Sequence, residues 1–252
     1  MQDLTISIVQ TIQYWEDIPR NLEHFDQLFG QVENSDLIVL PEMFNTGFTM
    51  NVESNAEPMG GPSIQWLMGQ AKRLNAAIAA SLIIQENGKY YNRFVLAKAD
   101  GDIQTYDKHH LFSMGGEDKP FTPGDKKARW EIKGWKLAPQ ICYDLRFPTW
   151  IRNTDDYDLI VYTANWPLKR MKHWNTLVRA RAIENQCYVA AANRIGSDEA
   201  GVDYNGYSQI VDFDGEPLAI EGDKEAIITA KLSHKALMER REIFPVLKDQ
   251  TI

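Results

Sequence analysis

Leu37-Ile38-Val39-Leu40-Pro41-Glu42 decides how the chain reads. Four consecutive apolar residues with no polar alternation predict a strand covered on both faces, as in a layered α/β sheet. Pro41 stops the strand, and Glu42 follows at once. A carboxylate just beyond a buried strand is partly desolvated, which raises its pKa toward that of a useful base.

The same pattern recurs on either side. Leu4-Thr5-Ile6-Ser7-Ile8-Val9 is short and rich in β-branched residues, so it reads as a strand. A helix follows, capped by Asp17, with Pro19 in its first turn and Leu22, Phe25, Leu28 and Phe29 on one face. Residues 62–75 place Ile64, Leu67, Met68, Ala71 and Leu74 at helical spacing, and 76–84 reads as the next strand. Residues 91–97 and 102–107 form a hairpin around Asp100-Gly101. Further apolar runs occupy 137–142, 159–163 and 188–192. A long helix over about 170–186 has Met171, Trp174, Leu177, Val178 and Ala182 on its inner face. Two strands flank Asp214-Gly215, and a last helix spans 233–241. Strands alternating with helices predict an α/β layer protein. No linker, repeat or low-complexity tract interrupts residues 1–252, which predicts a single domain.

With 44% hydrophobic and 25% charged residues, the composition is that of an ordinary globular domain. The net charge of −8 repels phosphate backbones, so nucleic acid is not an expected partner. No run of about 18 apolar residues predicts a membrane span. MQDLTISIVQ lacks the basic and apolar regions of a signal peptide. Two cysteines, Cys142 and Cys187, make no disulfide framework and suit a reducing cytoplasm.

Two more reactive residues follow strands. In Tyr106-Asp107-Lys108-His109-His110-Leu111-Phe112, Lys108 has two readings, a surface lysine or a cation that holds negative charge developing on a carbonyl oxygen. The histidines have no metal-ligand spacing, so no metal is expected. In Gln140-Ile141-Cys142-Tyr143-Asp144-Leu145-Arg146-Phe147-Pro148, a cysteine closes an apolar strand before a turn, an elbow-like placement for a nucleophile. A reactive thiol of low pKa at Cys142 would mark an enzyme, and an inert one a scaffold. Cys187 reads as core packing. No Gly-x-Gly-x-x-Gly or phosphate loop is present, so no cofactor is expected.

Taken in order, Leu40-Pro41-Glu42, Lys108-His109-His110-Leu111-Phe112 and Cys142-Tyr143-Asp144-Leu145-Arg146-Phe147-Pro148 resemble the signature of the carbon–nitrogen hydrolase (nitrilase) superfamily. The resemblance continues through Ala164-Asn165-Trp166-Pro167, His173-Trp174, 179–186, Asn193-Arg194-Ile195-Gly196 and Tyr207-Ser208. Within the superfamily these segments look most like the bacterial ω-amidases, the branch resembling nitrilase-like protein 2. The resemblance implies a four-layer α-β-β-α sandwich, usually paired as a homodimer through its sheet-covering helices. It also implies a cysteine nucleophile at Cys142, a general base at Glu42 and an oxyanion-binding Lys108, assisted by the Tyr143 backbone N–H. A second glutamate, Glu117 ahead of Thr122-Pro123-Gly124-Asp125, would hold Lys108, although adjacent Asp118 leaves a one-residue ambiguity. The expected substrate is a small amide, the terminal amide of a 2-oxo dicarboxylate monoamide. Arg146 is expected to meet its far carboxylate, unless it pairs with Asp144 instead, and Phe147, Trp166 and Phe44 are candidate pocket walls or core residues. Other superfamily chemistries (nitrilase, N-carbamoyl amino acid amidohydrolase, aliphatic amidase) remain open, as does a catalytically silent binding protein.

Overall fold

In the computed structural model, which describes residues 1–251, the alternation of side chains along the strands sorts the core into layers. Ile252, the last residue of the expected domain, lies outside the described residues. The strands are β1 (Leu4–Gln10), β2 (Leu37–Val39), β3 (Ala77–Glu86), β4 (Lys89–Ala97), β5 (Ile103–Asp107), β6 (Trp130–Ile132), β7 (Trp135–Ile141), β8 (Leu159–Thr163), β9 (Tyr188–Ala192), β10 (Ile195–Ser197), β11 (Asp203–Asn205), β12 (Gln209–Val211), β13 (Pro217–Ile220) and β14 (Ala226–Leu232). The helices are α1 (Ile18–Phe29), α2 (Val52–Asn55), α3 (Pro62–Leu74), α4 (Pro148–Ile151), α5 (Met171–Asn185) and α6 (His234–Ile243). One six-stranded sheet runs β14-β1-β2-β3-β4-β5 and the other β13-β12-β9-β8-β7-β6, with β10 and β11 as a separate hairpin.

Leu37, Val39, Ala77 and Ala79 point between the sheets, into the core shared with β7, β8 and β9. Ile38, Ile78, Ala80 and Leu82 point the other way, against Phe25, Phe29, Ile64 and Leu67 of α1 and α3. On the far side of the second sheet, Trp174, Val178 and Ala182 of α5 close the structure. The result is an α-β-β-α sandwich. Both strand sets are buried on two faces, which explains why β2, β7, β8 and β9 read as continuous apolar runs.

The helix signals hold in detail. The Asp17 side chain accepts the Arg20 N–H at 3.1 Å, and Pro19 lies in the first turn of α1. Five elements carried no recognised signal: β6, β10, β11, β14 and the short helix α2. The 159–163 run is preceded by only a four-residue helix, α4. No helix among the described residues is long and apolar enough to cross a membrane.

β1, β2 and β3 pair in parallel, as do β7, β8 and β9. In sheets of this kind, ligands gather beyond the carboxyl ends of the parallel strands. Cys142 directly follows β7, Asn165 lies two residues beyond β8, and Glu42 three beyond β2.

Candidate active site

Lys108 leaves the end of β5, where its N–H continues the ladder to the Asn92 carbonyl of β4 at 3.0 Å. The side chain is 1% exposed. Its Nζ donates to Glu42 Oε1 at 2.8 Å and to Glu117 Oε1 and Oε2 at 2.9 and 2.8 Å. Both carboxylates are wholly buried. Burial alone would pull the lysine pKa down. The charges of Glu117 and Glu42 outweigh it, so the pKa rises and the ammonium persists at neutral pH. Glu117 has its own pKa raised, because burial and the nearby Glu42 charge exceed the pull of one shared cation. The one-residue ambiguity at this glutamate resolves plainly: Glu117 faces Lys108, while Asp118 is exposed.

Asn92, which carries no signal beyond being a polar residue inside an apolar strand, joins the cluster. Its Nδ2 donates to Glu42 Oε1 at 2.8 Å and to Glu117 Oε1 at 2.9 Å. Asn165 fixes Glu42 from the opposite side, its N–H donating to Oε2 at 3.0 Å and its Nδ2 to the Glu42 carbonyl at 2.9 Å. Three donors therefore converge on the Glu42 carboxylate, from Asn92, Lys108 and Asn165, while Asn165 Nδ2 and Gln13 Nε2 hold its backbone carbonyl. A closely fitted strap holds the lysine segment. Gly124 donates to the Lys108 carbonyl at 2.9 Å and accepts from His109 Nδ1 at 2.6 Å. A Cβ at Gly124 would stand 2.2 Å from the Asp107 carbonyl oxygen, so this close approach requires glycine.

Cys142 opens a 3₁₀ turn (Cys142–Arg146) at the end of β7, with φ at 41°. A non-glycine residue in the left-handed region costs about 1–2 kcal/mol. Asp144 supports it, accepting from Ile141 N, Tyr106 OH, His110 N and His110 Nδ1 at 2.8–3.1 Å. That carboxylate ties the cysteine turn to the lysine segment. From behind, Arg181 of α5 donates to the Leu145 carbonyl at 3.1 and 2.6 Å. The thiol is 3.9 Å from the Asn165 carbonyl. Burial first, and the Glu42 charge next, push its pKa well above the ordinary thiol value, and Lys108 does not offset them. A thiol so placed keeps its proton until attack, so the low pKa that would by itself mark an enzyme is not what separates enzyme from scaffold here. Cys187 is buried core, as expected.

A cavity of about 780 Å³ opens over Cys142, with Tyr143, Arg146, Trp166, Phe112, Phe48 and Tyr204 among its walls. Trp166 and Arg146 therefore sit where the sequence placed them. Arg146 makes no pair with Asp144. Its guanidinium lies 4.7 Å over the Trp166 ring and donates to His173 Nδ1 at 3.3 Å. Two wall assignments are corrected. Phe44 is fully buried on the helix side of the first sheet, 5.6 Å from Phe25 and 5.8 Å from Trp66. Its N–H bonds the Ser81 carbonyl alongside β3, and the turn at 42–46, with Met43 at a φ of 44°, breaks the strand alternation that would have put Phe44 and Glu42 on one side. Phe147 backs the wall without lining it, stacked on His110 at 3.8 Å and edge-on to Tyr143 at 5.2 Å.

The carbon–nitrogen hydrolase family model matches residues 5–242. The chain belongs to the carbon–nitrogen hydrolase family. It is 46% identical, over 99% of its length and 97% of the relative's, to the omega-amidase YafV of Yersinia enterocolitica. It is 37% identical to the 2-oxoglutaramate amidase of Bacillus subtilis, over 86% of this chain and 85% of that one. A solved CN-hydrolase superfamily protein from Xanthomonas campestris, with an arsenic adduct in its active site, superposes with a TM-score of 0.98 at 41% identity, covering 100% of this chain and 98% of the other. This carbon–nitrogen hydrolase is thus an enzyme acting on carbon–nitrogen bonds other than peptide bonds, and the silent-scaffold alternative falls away.

Proposed function

We propose that the chain is an ω-amidase that hydrolyses the terminal amide of a 2-oxo dicarboxylate monoamide, such as 2-oxoglutaramate, through a thioester on Cys142. The observation that carries the reading is the buried Glu42–Lys108 pair, whose charges act on Cys142, together with a cavity lined by Cys142 and the guanidinium-bearing Arg146. The likeness to omega-amidase YafV and to 2-oxoglutaramate amidase supports it.

Glu42 takes the thiol proton as Cys142 sulfur attacks the amide carbon. Lys108 Nζ and the Tyr143 N–H hold the resulting oxyanion. The intermediate collapses as Glu42 passes the proton to nitrogen, releasing ammonia and leaving the thioester. Glu42 then deprotonates water, which attacks the thioester carbon, and the departing sulfur recovers its proton. One carboxylate serves as base and acid in turn. Glu117 anchors Lys108, and Arg146 meets the far carboxylate. Ammonia release from 2-oxoglutaramate, succinamate, an N-carbamoyl amino acid and a simple nitrile tests the assignment. The first two should turn over best. Turnover of the carbamoyl compound or the nitrile alone would overturn the ω-amidase reading.

Asn92 acts as a positioning residue for the two carboxylates. Hydrogen bonds to a carboxylate favour its charged form, so losing them raises its pKa. Asn92→Ala should lower kcat by about 10-fold and move the acidic limb of the kcat/KM profile up by about one pH unit. A variant with an unmoved acidic limb would contradict this role.

The same reading takes residues 1–252 as one catalytic domain, working in the cytoplasm as a homodimer. Two free cysteines support a reducing compartment. Exposed Ile183 of α5 and Ile243 of α6, with Phe244 just beyond it, support pairing through the outer helices. Limited proteolysis checks the single domain, fractionation of the source cell the compartment, and sedimentation velocity the pairing. Stable proteolytic halves, recovery outside the cytoplasm, or a species of one chain mass would each overturn its part.

A further inference from the structure

The cavity holds a second guanidinium. Arg170 lines the same wall as Arg146, from the 3₁₀ turn Leu168–Arg170 that leads into α5. Trp166 joins the two: its ring lies 4.7 Å beneath the Arg146 guanidinium, and its Nε1–H donates to the Arg170 carbonyl at 2.8 Å. The Arg170 guanidinium is itself held 5.2 Å over the Phe112 ring. Phe112 in turn donates its N–H to Glu117 Oε2 at 2.6 Å, so this wall is continuous with the buried ion cluster.

Neither arginine meets a carboxylate among the described residues. The acidic side chains of the cavity are engaged elsewhere. Asp198 accepts from Ala200 N, Val202 N and Tyr204 OH, and Asp203 accepts from Ser197 OH. Aromatic rings rather than anions therefore hold two neighbouring like charges in place. Two like charges so placed repel one another. Burial first, and the Arg170 charge next, pull the Arg146 pKa down. Such an arrangement is relieved by an anion arriving from solution, and pre-ordered donors need little reorganisation on binding.

We propose that Arg170 is a specificity-determining residue, forming with Arg146 a two-arginine clamp for the end of the substrate remote from the amide. A carboxylate has two acceptor oxygens, and a 2-oxo group adds a third. One guanidinium engages a carboxylate through two parallel bonds, and the second supplies the remaining donors. The substrate class is thus a monoamide bearing a carboxylate with an acceptor oxygen beside it. The proposal rests on the ω-amidase reading of the cavity.

The experiment compares kcat and KM for 2-oxoglutaramate and for an uncharged primary amide of similar length. The proteins are wild type, Arg170→Gln, Arg170→Lys, Arg146→Gln, the double Gln variant, and Lys172→Gln, whose side chain is exposed outside the cavity and controls for net charge. Arg170→Gln should raise KM for 2-oxoglutaramate by about 10- to 100-fold, with kcat near wild type and the uncharged amide unaffected. Arg170→Lys should recover part of the loss, and Lys172→Gln should match wild type. The double variant should depart from the product of the single effects, because the two groups share one ligand. Equal losses on both substrates, or an unchanged preference for the acid, would overturn the clamp. Should wild type hydrolyse neither compound, the activity reading fails by itself, and calorimetric binding of 2-oxoglutarate still decides the clamp. Binding weakened by both single Gln substitutions supports it, and binding indifferent to Arg170→Gln overturns it.

Discussion

Cys142→Ala leaves amide hydrolysis at the solution background, a loss of about five orders of magnitude or more in kcat, because no acyl intermediate can form. The fold should survive. The change removes one sulfur atom from a side chain 9% exposed beside a cavity, so little packing is lost. It also removes the group whose ionisation Glu42 opposes. A thermal midpoint equal to wild type or higher is expected, as for sites whose residues serve chemistry at a cost in stability. Differential scanning calorimetry and an ammonia assay on the same preparation check both halves. Substantial turnover by the alanine variant would end the cysteine mechanism. A lowered midpoint with lost activity would reduce the result to misfolding.

Lys108→Met is expected to damage both chemistry and stability. An oxyanion donor is worth about 10²–10³ in kcat. Its removal also leaves Glu42 and Glu117 facing one another without a cation, both wholly buried. Breaking a buried ion pair by deleting one partner costs about 3–5 kcal/mol. In wild type, Lys108 has its folded pKa raised above the unfolded value. Its contribution is therefore fully present below about pH 10.4, the unfolded lysine value, and is lost only as pH rises through the folded value. In the variant the carboxylates govern instead. Glu117, already raised by burial and by Glu42, loses the cation that holds it down. Protonation then relieves the repulsion, so the variant should regain stability relative to wild type as pH falls from about 8 toward 5. Urea unfolding across that range measures it. A stability deficit that is constant with pH would contradict the uncompensated-carboxylate account.

Where the chain is buried on two faces, the sequence was transparent. The apolar runs at 37–40, 159–163 and 188–192 became β2, β8 and β9 within a residue, because continuous burial leaves no other pattern. Short or edge elements were opaque. β6, β10 and β11 have three residues each, too few for any period to emerge. β14 alternates buried and exposed positions along its second half, yet it pairs with β1 from the other end of the chain, a partner that local reading does not supply. The site divides the same way. Glu42, Lys108 and Cys142 each follow a strand, but each alone also reads as an ordinary loop, surface or core residue, and only their order together pointed to a site. Asn92 and Arg170 act through what the fold sets beside them. Phe44 lies two residues beyond Glu42, and the side of the sheet it faces depends on the path beside β3.

Trapping the acyl-enzyme with hydroxylamine tests the central claim most directly. Wild type turning over 2-oxoglutaramate in rising hydroxylamine should divert product from the acid to the hydroxamate, since both nucleophiles compete for the Cys142 thioester, and Cys142→Ala should form neither. If the acid remains the sole product at every concentration while ammonia is released at the usual rate, water attacks the amide directly and the Cys142 thioester is contradicted.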